Sequence, residues 1–164
     1  SMMQLSGPAS AVAAVAGEPV RELLLATQIL DTIPAGGRII AGIPMMDIVL
    51  KDFSGAMPAC TSGSVACDPI LFIGIGWRKA GQTRFDLIDD QVMPLRGFGA
   101  HTGRMVGIAE RLEEGDQLAL LVYGLHPQYP LDVSRDALAP VVTMSGSVAL
   151  PLLAPDEIAQ DGDL

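Results

Sequence analysis

Short runs of alternating apolar and polar residues, separated by turn-forming residues, dominate this sequence. Successive side chains of a β-strand point to opposite faces, so a period of two is typical of strands and not of helices. The runs lie at residues 46–50, 70–77, 84–88, 106–111, 117–123 and 147–153. Residues 79–82 and 113–116 each contain a glycine and predict turns. The pattern predicts an all-β protein built as an antiparallel β-sandwich.

Two segments of this pattern need separate interpretation. Residues 70–77 are apolar on both faces, as expected of a central strand, and residues 84–88 follow a short turn and predict a hairpin with it. Residues 20–30 fit helical spacing as well as a strand, so both alternatives stay open at this point. Twelve prolines and eighteen glycines suit the many chain reversals of a sandwich.

Length and composition indicate one domain with a well-filled core. The chain has 164 residues, of which 49% are hydrophobic and 18% are charged, far from the composition of a disordered chain. We assign residues 1–19 to a linker or irregular N-terminal segment, residues 20–155 to the sandwich, and residues 156–164 to an acidic flexible tail.

The charge balance excludes some partners. A formal net charge of −9 argues against nucleic acid and against an anionic membrane surface, because both repel an acidic domain. No apolar stretch approaches the roughly 20 residues that a membrane-spanning helix needs. The high apolar fraction predicts an exposed apolar patch through which the domain could form a homo-oligomer.

Cys60 and Cys67 lie in a segment rich in Ser, Gly, Thr and Pro, residues 54–69. Their spacing matches no zinc pattern, because there is no second cysteine pair and the chain has only two histidines. A disulfide closing this loop fits a secreted or periplasmic protein, and two free thiols in the cytosol are the alternative.

Motifs that carry known chemistry are missing from the sequence. No Gly-x-Ser-x-Gly is present, so the exposed nucleophile of an α/β-hydrolase has no counterpart. Residues 97–103, a Gly-rich segment around His101, approach a dinucleotide fingerprint but have Thr102 where the third glycine belongs. We therefore expect no cofactor and assign no catalytic or metal-binding residue.

A few residues are weaker candidates for a site. His101 and His126 could act as bases, but both lie in segments that predict turns, where a structural role is the alternative. Asp86, Asp89 and Asp90 could hold calcium through oxygen ligands, although such a group is more commonly a solvated loop.

The larger aromatic residues are scarce in this chain. Trp77, Tyr123 and Tyr129, together with the two histidines, are the candidates for surface ligand contacts.

Several segments taken in order resemble one protein family. They are residues 23–30, the Gly-x-Pro step in residues 40–44, the alternating residues 46–50, and then residues 68–73, 94–96, 106–111, 114–120, 127–130 and 147–151. Together they resemble the C-terminal jelly-roll domain of the Xaa-Pro dipeptidyl-peptidase and cocaine esterase family of hydrolases. The likeness covers roughly residues 23–153 and implies a galactose-binding-like jelly roll, with residues 23–30 as its opening strand. The long insertion at residues 54–69 departs from the family.

The resemblance implies an accessory role. In that family a Ser-His-Asp triad lies on an upstream α/β-hydrolase domain, and neither histidine here matches a triad position. The chain is thus expected to be non-catalytic, to pack on the catalytic domain in cis and to help shape its substrate cleft. The alternatives are a carbohydrate-binding or protein-interaction module, and a free-standing hydrolase built on His101, His126 and the acidic loop.

Overall fold

The computed structural model describes residues 3–5, 23–52, 69–129 and 142–156, and strands make up most of them. Twelve strands are present in these ranges: β1 (Met3–Leu5), β2 (Leu23–Thr32), β3 (Arg38–Gly42), β4 (Met45–Asp52), β5 (Ile70–Arg78), β6 (Asp86–Leu87), β7 (Met93–Arg96), β8 (Gly99–Arg104), β9 (Ile108–Leu112), β10 (Gln117–Leu125), β11 (Val142–Ala149) and β12 (Leu152–Leu153). Within these ranges one 3-10 turn, Ile88–Asp90, follows β6. Every strand pair is antiparallel.

One layer of the molecule is a five-stranded sheet with β5 near its centre. Its order is β2-β10-β5-β6, and β7 pairs with the first half of β5 on the edge where β6 pairs with the second half. Leu71, Ile73 and Ile75 enter the main core, while Ile70 and Phe72 enter a second cluster on the other face. The prediction of a central strand that is apolar on both faces is confirmed.

The second layer consists of two shorter sheets, and three continuous chain segments each contribute one strand to both sheets. The four-stranded sheet β1-β11-β4-β8 and the three-stranded sheet β12-β3-β9 are joined because β11 continues into β12, β3 into β4 and β8 into β9. The three links lie side by side, since Ala41 N–H donates to the Pro151 carbonyl at 3.1 Å and Met105 N–H donates to the Pro44 carbonyl at 2.8 Å. We call this line of links the junction.

The main core lies between the two layers. The five-stranded sheet contributes Leu118, Leu120 and Val122 in addition to the inward side chains of β5, and the second layer contributes Ile40, Met46, Ile48, Leu50, Ile108, Leu112, Val142 and Met144. All of these side chains are buried. The protein is therefore an all-β antiparallel sandwich, as the period of two predicted, and its jelly-roll connectivity stays a prediction.

Several predicted boundaries change in the structure. Residues 23–32 form a strand, which resolves the ambiguity with a helix. The hairpin partner expected at residues 84–88 is reduced to β6, because the chain turns away at Ile88. Within the N-terminal segment 1–19, residues Met3–Leu5 pair with β11.

Three further differences concern the second layer. The turn at residues 113–116 forms, but the strands that it joins, β9 and β10, belong to different layers. The strand expected at residues 147–153 is broken at Pro151, which has no N–H to donate to a ladder. Residues 99–104, predicted as part of a Gly-rich loop, are strand β8 at the edge of the four-stranded sheet.

Asp116 fastens the turns at one end of the sandwich. Its buried carboxylate accepts hydrogen bonds from the backbone N–H groups of Glu113, at 2.9 Å, and Ala80, at 3.2 Å. The backbone carbonyl of Asp116 accepts a bond from Ile33 N–H at 2.8 Å. One side chain thus joins the predicted turns at residues 79–82 and 113–116, which sequence spacing alone did not connect.

Candidate functional site

The structure brings together three of the five residues that were candidates for ligand contacts. The rings of Tyr123 and His126 meet edge to face with centroids 5.3 Å apart, and Tyr129 stacks on Phe72 at 5.1 Å. Tyr123 is 3% exposed and His126 is 5% exposed, so the expectation that both lie at the surface is corrected. These rings extend the second hydrophobic cluster on the outer face of β5 and β10.

Trp77 and His101 lie elsewhere and apart from that group. Trp77 is half-buried near the end of β5, where it packs against the main core. His101 lies on β8 opposite Ile48, and its Nε2 is 2.9 Å from the Gly97 carbonyl oxygen. The carbohydrate-binding alternative would need an exposed platform of rings, and the described aromatic residues form none.

The three aspartates of the acidic loop, Asp86, Asp89 and Asp90, contact separate partners. Asp86 lies 3.4 Å from Arg84, and the Asp89 carboxylate accepts a bond from Ala109 N–H at 2.8 Å. The Asp90 backbone carbonyl accepts a bond from the Gln128 side-chain amide at 2.6 Å. Within the described ranges, no three His, Cys, Asp or Glu side chains come together in a metal-binding arrangement.

His126 and the acidic loop are linked through Gln128, whose backbone N–H lies 3.4 Å from His126 Nδ1. A hydrolase built on both histidines would need His101 close to this group, but His101 lies on the other layer.

Exposed apolar side chains gather at the junction. Ile43 is 45% exposed, Met45 is 47% exposed and Val106 is 36% exposed. Ile43 and Met45 are both exposed, and the buried Pro44 lies between them in the chain. Ile43 lies against Gly107, the residue that follows Val106. We call these three residues the junction patch, and it is bordered by Arg104 and Ala149, which flank Met45 in the sheet.

A recess of about 50 Å³ opens between the two layers where β2 faces β11, at the end of the five-stranded sheet away from β6 and β7. It is lined by Gln28 and Leu30 from β2, Leu120 from β10, Ile48 from β4 and residues 144–148 of β11. Gly146 lies between Met144 and Val148, so the inward face of β11 has no side chain at that point. The recess lies beside these two apolar side chains, both of which line it.

No protein-family model matches the chain, and a search of curated proteins finds no match. In the described ranges there is no helix of sufficient length and apolarity to cross a membrane. Cys60 and Cys67 lie outside the described residues, so the disulfide stays a prediction.

Sequence reasoning missed both the junction patch and the recess. The patch had a detectable signal, because Ile43 and Met45 are apolar residues in the phase of an alternating run that faces solvent. The recess had a weaker one, a glycine at residue 146, directly before the predicted strand 147–153 and in phase with its apolar Val148. Of the five candidates for surface ligand contacts, Trp77, Tyr129 and His101 are partly exposed.

Proposed function

We propose that this chain is a non-catalytic accessory domain that packs on a serine ester or amide hydrolase and helps shape its substrate cleft. The observation that carries the proposal is the junction patch, since three large apolar side chains at or next to the links between the two shorter sheets are exposed. Contiguous exposed apolar groups commonly mark a surface that another protein covers. The order of segments that resembles the family supplies the identity of the partner.

The rigidity of the junction supports such a role. Gly42 approaches the Pro151 ring at 3.3 Å, measured from an ideal Cβ position, and the backbone bonds across the junction hold its three links in register. A patch carried by paired strands keeps its shape without a partner, so little conformational entropy is lost on docking. Export to an oxidising compartment remains part of the proposal and rests on Cys60 and Cys67.

The first test is the coding sequence that adjoins this chain. The proposal expects an upstream α/β-hydrolase domain with Gly-x-Ser-x-Gly. If no such domain is encoded there, the partner in cis is wrong.

The second test uses the whole polypeptide with Met45→Glu and Val106→Glu combined. The matched control is Ala100→Glu with Thr102→Glu, which adds the same charge at two exposed positions of the neighbouring β8. The patch variant should lower the melting temperature of the hydrolase domain and its kcat/KM on a p-nitrophenyl ester, and the control should leave both near wild type. Equal effects of the two pairs would contradict docking through the junction patch.

The predicted homo-oligomer is tested by sedimentation of this chain alone. If the patch joins two copies, the wild type should sediment as a dimer and the Met45→Glu, Val106→Glu variant as a monomer. A dimer that persists in the variant would place the contact elsewhere.

A further inference from the structure

Apolar side chains continue from the junction patch onto the outer face of the three-stranded sheet. Ile40 of β3 is buried in the main core, so its neighbours Ile39 and Ala41 face outward. Leu153 of β12 lies opposite Ile39 and is 38% exposed, and Ala109 of β9 lies opposite Ala41. We call the junction patch, together with these four outward residues, the extended patch.

Two cationic side chains lie along one flank of the extended patch. Arg104 of β8 lies opposite Met45, and Arg111 of β9 lies opposite Ile39. Both arginines are exposed, and since β8 continues into β9 they lie on the same flank, at most about 20 Å apart. The other flank, residues 149–153, carries no charged side chain.

Neither of these arginines has a partner for its charge within the chain. The guanidinium groups of Arg104 and Arg111 make no hydrogen bond or ion pair in the part of the chain that the structure describes. The other described arginines each interact with neighbouring groups; they are Arg38, Arg78, Arg84 and Arg96. Arginine is favoured at protein interfaces because its guanidinium binds carboxylates well. Two unpaired arginines beside an exposed apolar surface therefore indicate that another surface supplies the carboxylates.

The direction of β1 brings an upstream domain to this surface. β1 runs antiparallel to β11, with Met3 opposite Met144. Polypeptide that precedes Met3 is therefore directed along β11 toward Ala149, which borders the junction patch. β12 instead runs away from the junction as it pairs with β3. A domain joined upstream of this chain would thus emerge beside the extended patch.

A second copy of the chain is a poorer match for this surface. Two copies joined through their extended patches would bring four arginines together, and no residue of the extended patch itself carries a carboxylate. Like charges at an interface oppose association. The charge arrangement therefore favours a different, acidic surface over self-association.

We propose that Arg104 and Arg111 bind carboxylates of the upstream hydrolase domain, which covers the extended patch with an apolar surface that is acidic along one side. This inference rests on the proposed accessory role and adds the chemistry of the partner surface. The apolar side chains supply the buried area, and the two arginines determine in which orientation the partner docks.

The first experiment reverses both charges in the whole polypeptide, with Arg104→Glu and Arg111→Glu combined. The matched control is Lys51→Glu with Lys79→Glu, which changes the net charge equally at two exposed lysines outside the extended patch. At low salt the arginine pair should lower the melting temperature of the hydrolase domain by about 2–4 °C, and the lysine pair by less than about 1 °C. At about 1 M salt, where the Debye length is about 3 Å, this difference should disappear.

Equal shifts from the two pairs would overturn the proposed binding of carboxylates. The Met45→Glu, Val106→Glu variant separates this failure from failure of the accessory role. If that variant lowers the melting temperature and the arginine pair does not, docking through the patch stands and the assignment of the arginines is wrong. If neither pair changes the melting temperature, the accessory role itself is wrong.

A zero-length cross-link identifies the group that each arginine contacts, with substitutions that preserve the charge. In the Arg104→Lys and Arg111→Lys variants of the whole polypeptide, a carbodiimide joins the new amine to a carboxylate within ion-pair distance. Mass spectrometry should find amide cross-links from residues 104 and 111 to Asp or Glu side chains of the upstream domain. Cross-links between two copies of this chain, or only to its own carboxylates, would overturn the proposal.

Discussion

Gly146 and Gly103 allow the close approach of β11 to β4 to be tested by a matched pair of substitutions. Their φ angles are +139° and +137°, a region that side-chain-bearing residues rarely adopt. A Cβ on Gly103 would meet nothing within 4 Å, but one on Gly146 would overlap the Asp47 carbonyl oxygen and lie 2.9 Å from Ile48 Cα. The pair therefore separates backbone conformation from steric contact.

The expected magnitudes follow from this difference. Gly103→Ala should lower the free energy of unfolding by about 1–3 kcal/mol, the usual cost of holding a residue in such a region. Gly146→Ala adds the overlap with β4, which is relieved only by separating the two strands. The loss of one or two ladder hydrogen bonds and some core packing there should cost about 2–4 kcal/mol more.

Urea unfolding followed by circular dichroism measures both values, with the slope of the transition as a check on two-state behaviour. Since a domain of this size is stable by only about 5–15 kcal/mol, the difference between the variants is well above the error of the method. If the two alanine variants unfold at the same urea concentration, a side chain at residue 146 does not clash with β4, and the reasoning is wrong.

Two further predictions concern Asp116 and the two cysteines. Asp116→Ala should reduce the free energy of unfolding by about 2 kcal/mol and Asp116→Asn by about half as much, because asparagine keeps one acceptor; equal losses in urea unfolding would contradict the bonding described. Cys60 and Cys67 should give no reaction with a thiol reagent in denaturant without reductant, and two reactive thiols per chain, counted by mass spectrometry, would show that the disulfide does not form.

The fold class was predictable because burial of one face of a strand produces an alternation of apolar and polar residues in the sequence. Along β4, Met46, Ile48 and Leu50 are buried while Met45 and Asp47 are exposed, and this alternation needs no knowledge of partners. The choice of partner strands produces no such local pattern. The turn at residues 113–116 was recognisable, yet nothing local distinguishes a hairpin from a chain that crosses between layers, as β9 and β10 do.

The site was less predictable for the same reason. His101 was assigned to a loop because Gly99 and Gly103 conceal the alternation of β8, and only pairing with β4 shows that the segment is a strand. Burial of Tyr123 depends on residues that lie far apart in sequence, since it shares a cluster with Phe72 and Tyr129. The recess depends on two edges that approach from different layers, which no single segment encodes.

The apolar character of β5 on both faces has a consequence for how the sheet finds its register. A strand with one polar face is held in register because a one-residue slip would expose its apolar side chains to water, but β5 has no polar face to impose this penalty. The two faces of β5 differ instead in the size of their side chains. A Cβ on Gly74 would lie 2.5 Å from Leu87 Cδ2, and a Cβ on Gly76 would lie 2.5 Å from Leu121 Cδ1.

A slip of one residue would turn Ile73 and Ile75 toward those leucines and leave the glycines facing the main core. The result would be overlap on one face and empty volume on the other. The register of the central strand is thus encoded by side-chain size rather than by hydropathy. Segments of this kind are also the ones most prone to pair with other copies while the chain is unfolded, and the central place of β5 between β10, β6 and β7 leaves it no free edge once the sheet has formed.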